Sequence, residues 1–276
     1  MSHSLILDIP HSSTFIPTED RNKVFLPFSD AFCKSDNQDK KSRVRSEKER
    51  DELIKNELLV MTDWYTDELF DHSIGSAIVA KVSRLVCDTE RFSHDESEEM
   101  ASRGMGFCYE NGSKNQVIKA VTPEYKDEIL WRYYAPHHIA LTDAVEDSLK
   151  VNGKALILDC HSFSAEPLPY ETDQCGNRPD ICIGTDSYHT SEQLTRAVEK
   201  FFNVRNFSTA INSPYGGTIV PLRHYKKDNK VMSIMIEVNR GLYLKNGRSS
   251  KNRHFEQILK TLFDLEVMLS LINFSE

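Results

Sequence analysis

Two stretches of this chain nearly repeat each other: SLILDIPHSS at residues 4–13 and ALILDCHSFS at residues 155–164. Each is an apolar run carrying an aspartate near its end (Asp8, Asp159), then a histidine (His11, His161), then serine. Ligands of open α/β sheets gather outside the carboxyl ends of the strands, so both imidazoles fall where a site should form. Two such rings suit a zinc ion, whose catalytic shell is usually three protein ligands plus an open position. A third ligand is then required. Asp63 and Asp67 in TDWYTDELF both qualify, being one helical turn apart and so on one face; a solvated acidic first turn, favoured by the helix dipole, is the competing reading. Asp8 and Asp159 are candidate orienters of the two rings, or structural acids bonded to backbone.

Cleaving an amide at such a metal also needs a group that takes a proton and returns it to the leaving nitrogen. Glu237 is the choice, because it ends the apolar run SIMI and a carboxylate deep in a strand is unfavourable unless paired or functional. The alternative is a structural ion pair with Arg240 or Arg91. Arg84 and Arg91 bracket RLVCDTER, and a bidentate guanidinium suits a substrate carboxylate. Other signals carry less. His189 and Glu192 form an H-x-x-E string at a helix start, and the His137-His138 pair in WRYYAPHH reads as packing, with His138 able to line a pocket. There is no G-x-S-x-G elbow, no P-loop and no complete G-x-G-x-x-G, since Tyr109 stands where the last glycine would be.

The elements that must carry these groups alternate along the chain. Strands are predicted at residues 4–9, 77–87 (one or two), within ALILDCHSFS, at 180–184 and at 231–238. Helices are predicted at 58–74, at 123–150 with a bend at Pro136 and a stop at Asn152-Gly153, at 190–202 with a capping box of Thr190 and Gln193, and at 253–272. This alternation implies an α/β fold with a mixed, largely parallel central sheet and helices on both faces. Residues 1–276 read as one domain with a charged excursion near 34–57 and a long loop near 92–122, of a length that often walls a substrate.

A formal charge of -8 argues against nucleic acid and anionic membrane surfaces as partners. No apolar run approaches the roughly 18 residues of a spanning helix, and the N-terminus lacks the basic start of a secretory signal. The six cysteines form no C-x-x-C pair and read as free thiols. A cytoplasmic protein acting on a small carboxylate-bearing molecule is expected, and no residue pattern bears on oligomeric state.

Taken in order, several motifs resemble the N-formylglutamate amidohydrolases, zinc-dependent relatives of the carboxypeptidase and aspartoacylase fold. They are PHSS at 10–13, TDWYTDELF at 62–70, SRLVCDTERF at 83–92, LDCHSFS at 158–164, NSPYGGTIV at 212–220 and IEVNRGLY at 236–243. The resemblance implies a zinc-carboxypeptidase-like (phosphorylase/hydrolase-like) sheet. It implies one zinc ion held by His11, His161 and an acid of the 62–70 motif, Asp63 before Asp67, with Glu237 as general base. It also implies that Arg84 and Arg91 bind carboxylates of an N-acylated acidic amino acid and that Asn212 and Gly217 shape the pocket wall; Asp67, His138 and Arg240 are expected as alternative ligands or as supports behind the ligands. The implied reaction is hydrolysis of N-formyl-L-glutamate to formate and L-glutamate, a step in histidine degradation. Rival readings are a related zinc hydrolase of peptides or other N-acyl amino acids, and a metal-free binding protein of the same fold. Two positions depart from the family pattern. Thr14 occupies the glutamate position of the superfamily's H-x-x-E motif, and Glu90 replaces the usual asparagine, adding negative charge beside Arg91.

Overall fold

The computed structural model describes residues 5–24, 47–171 and 173–272. Cys33 and the first part of the charged excursion lie outside the described residues. The strands β1 (Leu5–Ile9), β2 (Ser76–Val79), β3 (Ala155–Phe163), β4 (Ile181–Gly184), β5 (Thr209–Ile211) and β6 (Val231–Asn239) form one sheet in the order β2-β1-β3-β6-β4-β5. Every neighbouring pair runs parallel except β4 against β6, the mixed, largely parallel sheet that the alternation implies. β1 and β3 are buried along their whole length, and strands covered on both faces read as unbroken apolar runs. The near-repeat has its cause here: β1 and β3 are immediate neighbours with Asp8 opposite Asp159, so the two segments meet the same surroundings.

Among the described residues there are seven α-helices, α1 (Thr18–Val24), α2 (Glu47–Met61), α3 (Thr66–Leu69), α4 (Pro123–Ile129), α5 (Ala135–Asn152), α6 (Glu192–Asn203) and α7 (Phe255–Leu271), with α5 packed on one face of the sheet and α6 and α7 on the other. Because side chains alternate across a strand, Leu7, Leu158 and Ile236 pack with Leu194 of α6 and Leu262 of α7, while Ile6 and Ile157 pack with Leu141 and Val145 of α5. A third cluster, around Val86, Phe107 and Tyr109, gives the segment after β2 its own apolar support. Among the described residues no helix is long and apolar enough to cross a membrane, and Cys87, Cys108, Cys160, Cys175 and Cys182 are free thiols.

Four expectations change. Residues 58–74 are not one helix: α2 stops at Met61, Tyr65 adopts φ 65° and the chain restarts as α3. Of residues 77–87 only 77–79 are strand, and the rest is loop and turn. The helix from 123 contains a π turn at Leu130–Tyr134 ahead of Pro136; lacking an N–H, the proline supplies no bond to the preceding turn and the register slips there. The cap of α6 is Ser191, whose side chain accepts from the Leu194 N–H, because the Thr190 hydroxyl is drawn away to the Ser233 carbonyl at 2.6 Å. Strand β5, only three residues long, has no periodicity to announce it.

Glu266 lies fully buried on α7, and neither carboxyl oxygen has a hydrogen-bond partner. Burial, with Asp71 nearby, pushes its pKa from 4.5 up to about 9. Between those values the folded chain keeps a proton that the unfolded chain releases, so this residue makes stability fall as pH rises across that window. Glu266→Gln is therefore expected to raise the melting temperature at pH 8, by the equivalent of about 1–3 kcal/mol, with the gain shrinking towards pH 4.5. Thermal melts of both proteins across that range check it; an equal shift at every pH would contradict it.

Candidate metal centre

The carboxyl ends of β1, β3 and β6 open on the same edge of the sheet. His11 follows β1 after Pro10, and His161 on β3 lies opposite Glu237 on β6. Asp63 comes from the break between α2 and α3, and its backbone N–H donates to the His11 carbonyl at 3.0 Å, which ties the break to the strand end. The result is a buried triad. The Nδ1 atoms of His11 and His161 are 3.2 Å apart, and Asp63 Oδ2 lies 3.7 Å from the first and 3.3 Å from the second. The outer nitrogens are committed: His11 Nε2 to Asp88 Oδ1 at 2.8 Å and His161 Nε2 to Asp159 Oδ1 at 2.7 Å.

Carboxylates only accept, so each ring carries a proton on Nε2, and in the neutral rings both Nδ1 atoms present lone pairs. Those two lone pairs and the Asp63 oxygen point at one another, an arrangement that repels unless positive charge stands among them. The electrostatics agree. Burial by itself would lower the His161 pKa, but Glu90 and Asp159 lift it well above the usual histidine value. Burial would likewise raise Asp63 and Asp88, yet the two imidazoles and Arg240 hold Asp63 well below the usual carboxylate range, and His11 with Arg84 does so for Asp88. Two imidazole nitrogens and one carboxylate oxygen, each ring backed by a second carboxylate, are a donor set that fits zinc.

Neighbours hold this triad rigidly. Arg240 donates to Asp63 Oδ1 at 2.6 Å and to the Val60 and Ser162 carbonyls at 2.7 and 2.9 Å, so it pairs with Asp63 rather than with Glu237. The Ser162 N–H donates to Asp63 Oδ2 at 3.0 Å. Of the two aspartates in the near-repeat, only Asp159 orients a metal-side ring. Asp8 instead bonds His137 at 2.8 Å, and Asp88 takes its place behind His11. Glu237 is buried with Oε2 unpartnered, and desolvation pushes its pKa up to about 8.

His11, Asp63, His161, Glu237, Arg84 and Arg91 all border a cavity of about 210 Å³. Arg84 donates through Nε to the Tyr109 hydroxyl at 3.1 Å and through Nη2 to Asp88 Oδ2 at 2.9 Å; Arg91 Nε is buried without a hydrogen-bond partner. Tyr170, Tyr215 and Glu171 also border the cavity, with Glu171 accepting from the Tyr215 hydroxyl at 2.6 Å and paired with Arg178. None of Tyr109, Tyr170, Glu171 and Tyr215 stands out by type or spacing, and Asp88 had only its position four residues after Arg84 to mark it.

Other expected site residues are not brought into this cavity. Asp67 is exposed on α3. Asn212 is exposed and braces Thr185 through two 2.8 Å hydrogen bonds. Gly217, at φ 88°, lines an adjoining cavity, while its neighbour Gly216 borders both. His138 lies in that second cavity too, bonded to the Thr89 carbonyl at 2.7 Å, and burial lowers its pKa to about 4. His189 has both nitrogens satisfied, by the Val231 carbonyl and the Lys226 N–H at 2.7 Å each, and is structural.

A model of the N-formylglutamate amidohydrolase family matches residues 3–244. Among solved structures, the N-formylglutamate amidohydrolase of Ralstonia eutropha JMP134 superposes with a TM-score of 0.75 at 21% identity, covering 98% of this chain and 93% of that one. A gene product of Agrobacterium tumefaciens superposes with a TM-score of 0.61 at 16% identity, covering 97% and 92%. At such identities the likeness is one of fold. No curated protein sequence matches the chain.

Asp88→Asn keeps the shape but removes the charge that fixes the His11 tautomer and anchors Arg84. Zinc affinity is expected to fall about 10- to 100-fold, measured by competition with a chromogenic chelator. Unchanged affinity would show that Asp88 serves Arg84 alone.

Proposed function

The chain belongs to the N-formylglutamate amidohydrolase family, and on that premise we propose that it hydrolyses the amide of an N-formylated amino acid with the help of one zinc ion, N-formyl-L-glutamate being the reference substrate. The observation that carries this reading is the meeting of His11, Asp63 and His161, lone pairs inward, beside the unpartnered oxygen of Glu237.

His11 Nδ1, His161 Nδ1 and Asp63 Oδ2 would hold the ion, which when bound supplies polarisation of the amide carbonyl and acidifies a water molecule. The remaining work falls to the chain. Glu237, across one strand pairing from His161, accepts the proton that the water gives up as it adds to the formyl carbon. It then delivers that proton to the amide nitrogen as the C–N bond breaks, releasing formate and a free amine. A pKa pushed up by burial suits both halves, since it makes the carboxylate a stronger base than a solvated one. Arg240 keeps Asp63 anionic and fixed. Arg84 and Arg91 reach the cavity with donors that can hold the substrate's α-carboxylate, setting the scissile bond against Glu237.

The test is formate release by protein stripped with a chelator and then reloaded. Activity on N-formyl amino acids is expected to vanish on stripping and return with zinc, and to exceed activity on N-acetyl amino acids and dipeptides. Turnover indifferent to chelation would reject the metal, and faster peptide cleavage would reject the substrate class. Separately, Glu237→Gln should lower kcat by about 10²- to 10⁴-fold while zinc content stays at wild-type level; retained turnover would remove Glu237 from the proton-transfer role.

A further inference from the structure

Glu90 has no part in the chemistry above, yet it stands inside the site. Its two carboxylate oxygens lie 3.5 Å from His161 Nε2 and 3.8 Å from His11 Nε2, and both nitrogens already donate to Asp159 and Asp88. Among the described residues no lysine or arginine comes within ion-pair distance of it. Its side chain is 24% exposed and borders both the catalytic cavity and the adjoining one of about 390 Å³. The two arginines nearby are already answered. Asp88 Oδ2 lies 2.9 Å from Arg84 and 3.6 Å from Arg91, and Glu98 lies 3.8 Å from Arg91. Two positive charges thus face three carboxylates before any substrate enters. The second cavity repeats the bias, with Glu98, Glu99 and Asp186 beside Glu90 on its walls and Arg91 as its single lysine or arginine.

From this charge arrangement we propose that Glu90 makes the site selective for an N-formyl amino acid with one carboxylate and a side-chain N–H donor, and disfavours a second carboxylate. The inference rests on the N-formyl hydrolase reading and names its substrate class. One carboxylate can be held by Arg84 and Arg91. A second, reaching past Arg91 towards the larger cavity, would meet Glu90 with no counter-charge left for it. An amide N–H in the same place would donate to the Glu90 carboxylate. A polar site discriminates between near-isosteres in this way, because the wrong one leaves a group repelled or unpaired.

N-formyl-L-glutamine and N-formyl-L-glutamate differ only at that terminus. The wild-type enzyme, zinc-loaded, is expected to show a kcat/KM at least about tenfold higher for the glutamine substrate, and Glu90→Gln should cut that preference by about tenfold or reverse it. The ratio between substrates is the readout because a general loss of activity cancels in it. Isothermal titration with the products L-glutamine and L-glutamate should show the same swing without turnover. A wild-type preference for glutamate, or a preference for glutamine that Glu90→Gln leaves unchanged, overturns the assignment while leaving the N-formyl hydrolase reading intact. No hydrolysis of either compound overturns both.

Discussion

Three electron-pair donors that converge on one buried point are the constraint around which this molecule is organised. Asp88 and Asp159 hold the ring protons of His11 and His161 outward, so the inward nitrogens and Asp63 can be reconciled only by positive charge. Each structural irregularity near the site serves that meeting. The interruption between α2 and α3 lowers Asp63 onto the end of β1, where a backbone bond to His11 pins it. Arg240, reaching across from the end of β6, neutralises the far oxygen of Asp63 and so keeps the near one available.

The histidines were readable in the sequence because the sheet places β1 and β3 side by side, and like surroundings select like residues. The aspartates could have been told apart by counting. Asp159 and His161 are two residues apart on one strand and so project to the same face, which lets the carboxylate reach the ring. Asp8 and His11 are three apart with Pro10 between them, so the carboxylate turns to His137 on α5 instead. Asp88 had no such rule. It reaches His11 from a turning segment whose path is set by packing around Phe107 and Tyr109, and no local periodicity encodes that path. The break in the 58–74 helix was hidden for a related reason, since its apolar stripe continues through a stretch that tertiary contacts pull out of helical geometry.

The charge of the site is as informative as its shape. Arginines in a pocket invite the reading that they are free to bind an anion, but here Arg84 and Arg91 share Asp88, and Tyr109 completes the link by donating to the same carboxylate. Such linked charges keep the guanidinium groups in place before a ligand arrives, which favours electrostatic preorganisation over simple attraction. It also leaves Glu90 as a further carboxylate at the cavity, with no lysine or arginine at ion-pair distance among the described residues.

Two buried glutamates show why a raised pKa is not by itself a functional sign. Glu237 and Glu266 are both desolvated, both carry unpartnered oxygens, and both are pushed to about 8 or 9. What separates them is what they face. Glu266 lies on the buried side of a helix, where its proton has nowhere to go and the group only reduces stability as pH rises. Glu237 borders a cavity and sits one strand from an imidazole of the candidate metal centre. The same desolvation only lowers stability at Glu266, whereas at Glu237 it raises the basicity of a carboxylate that faces a cavity and the candidate metal centre.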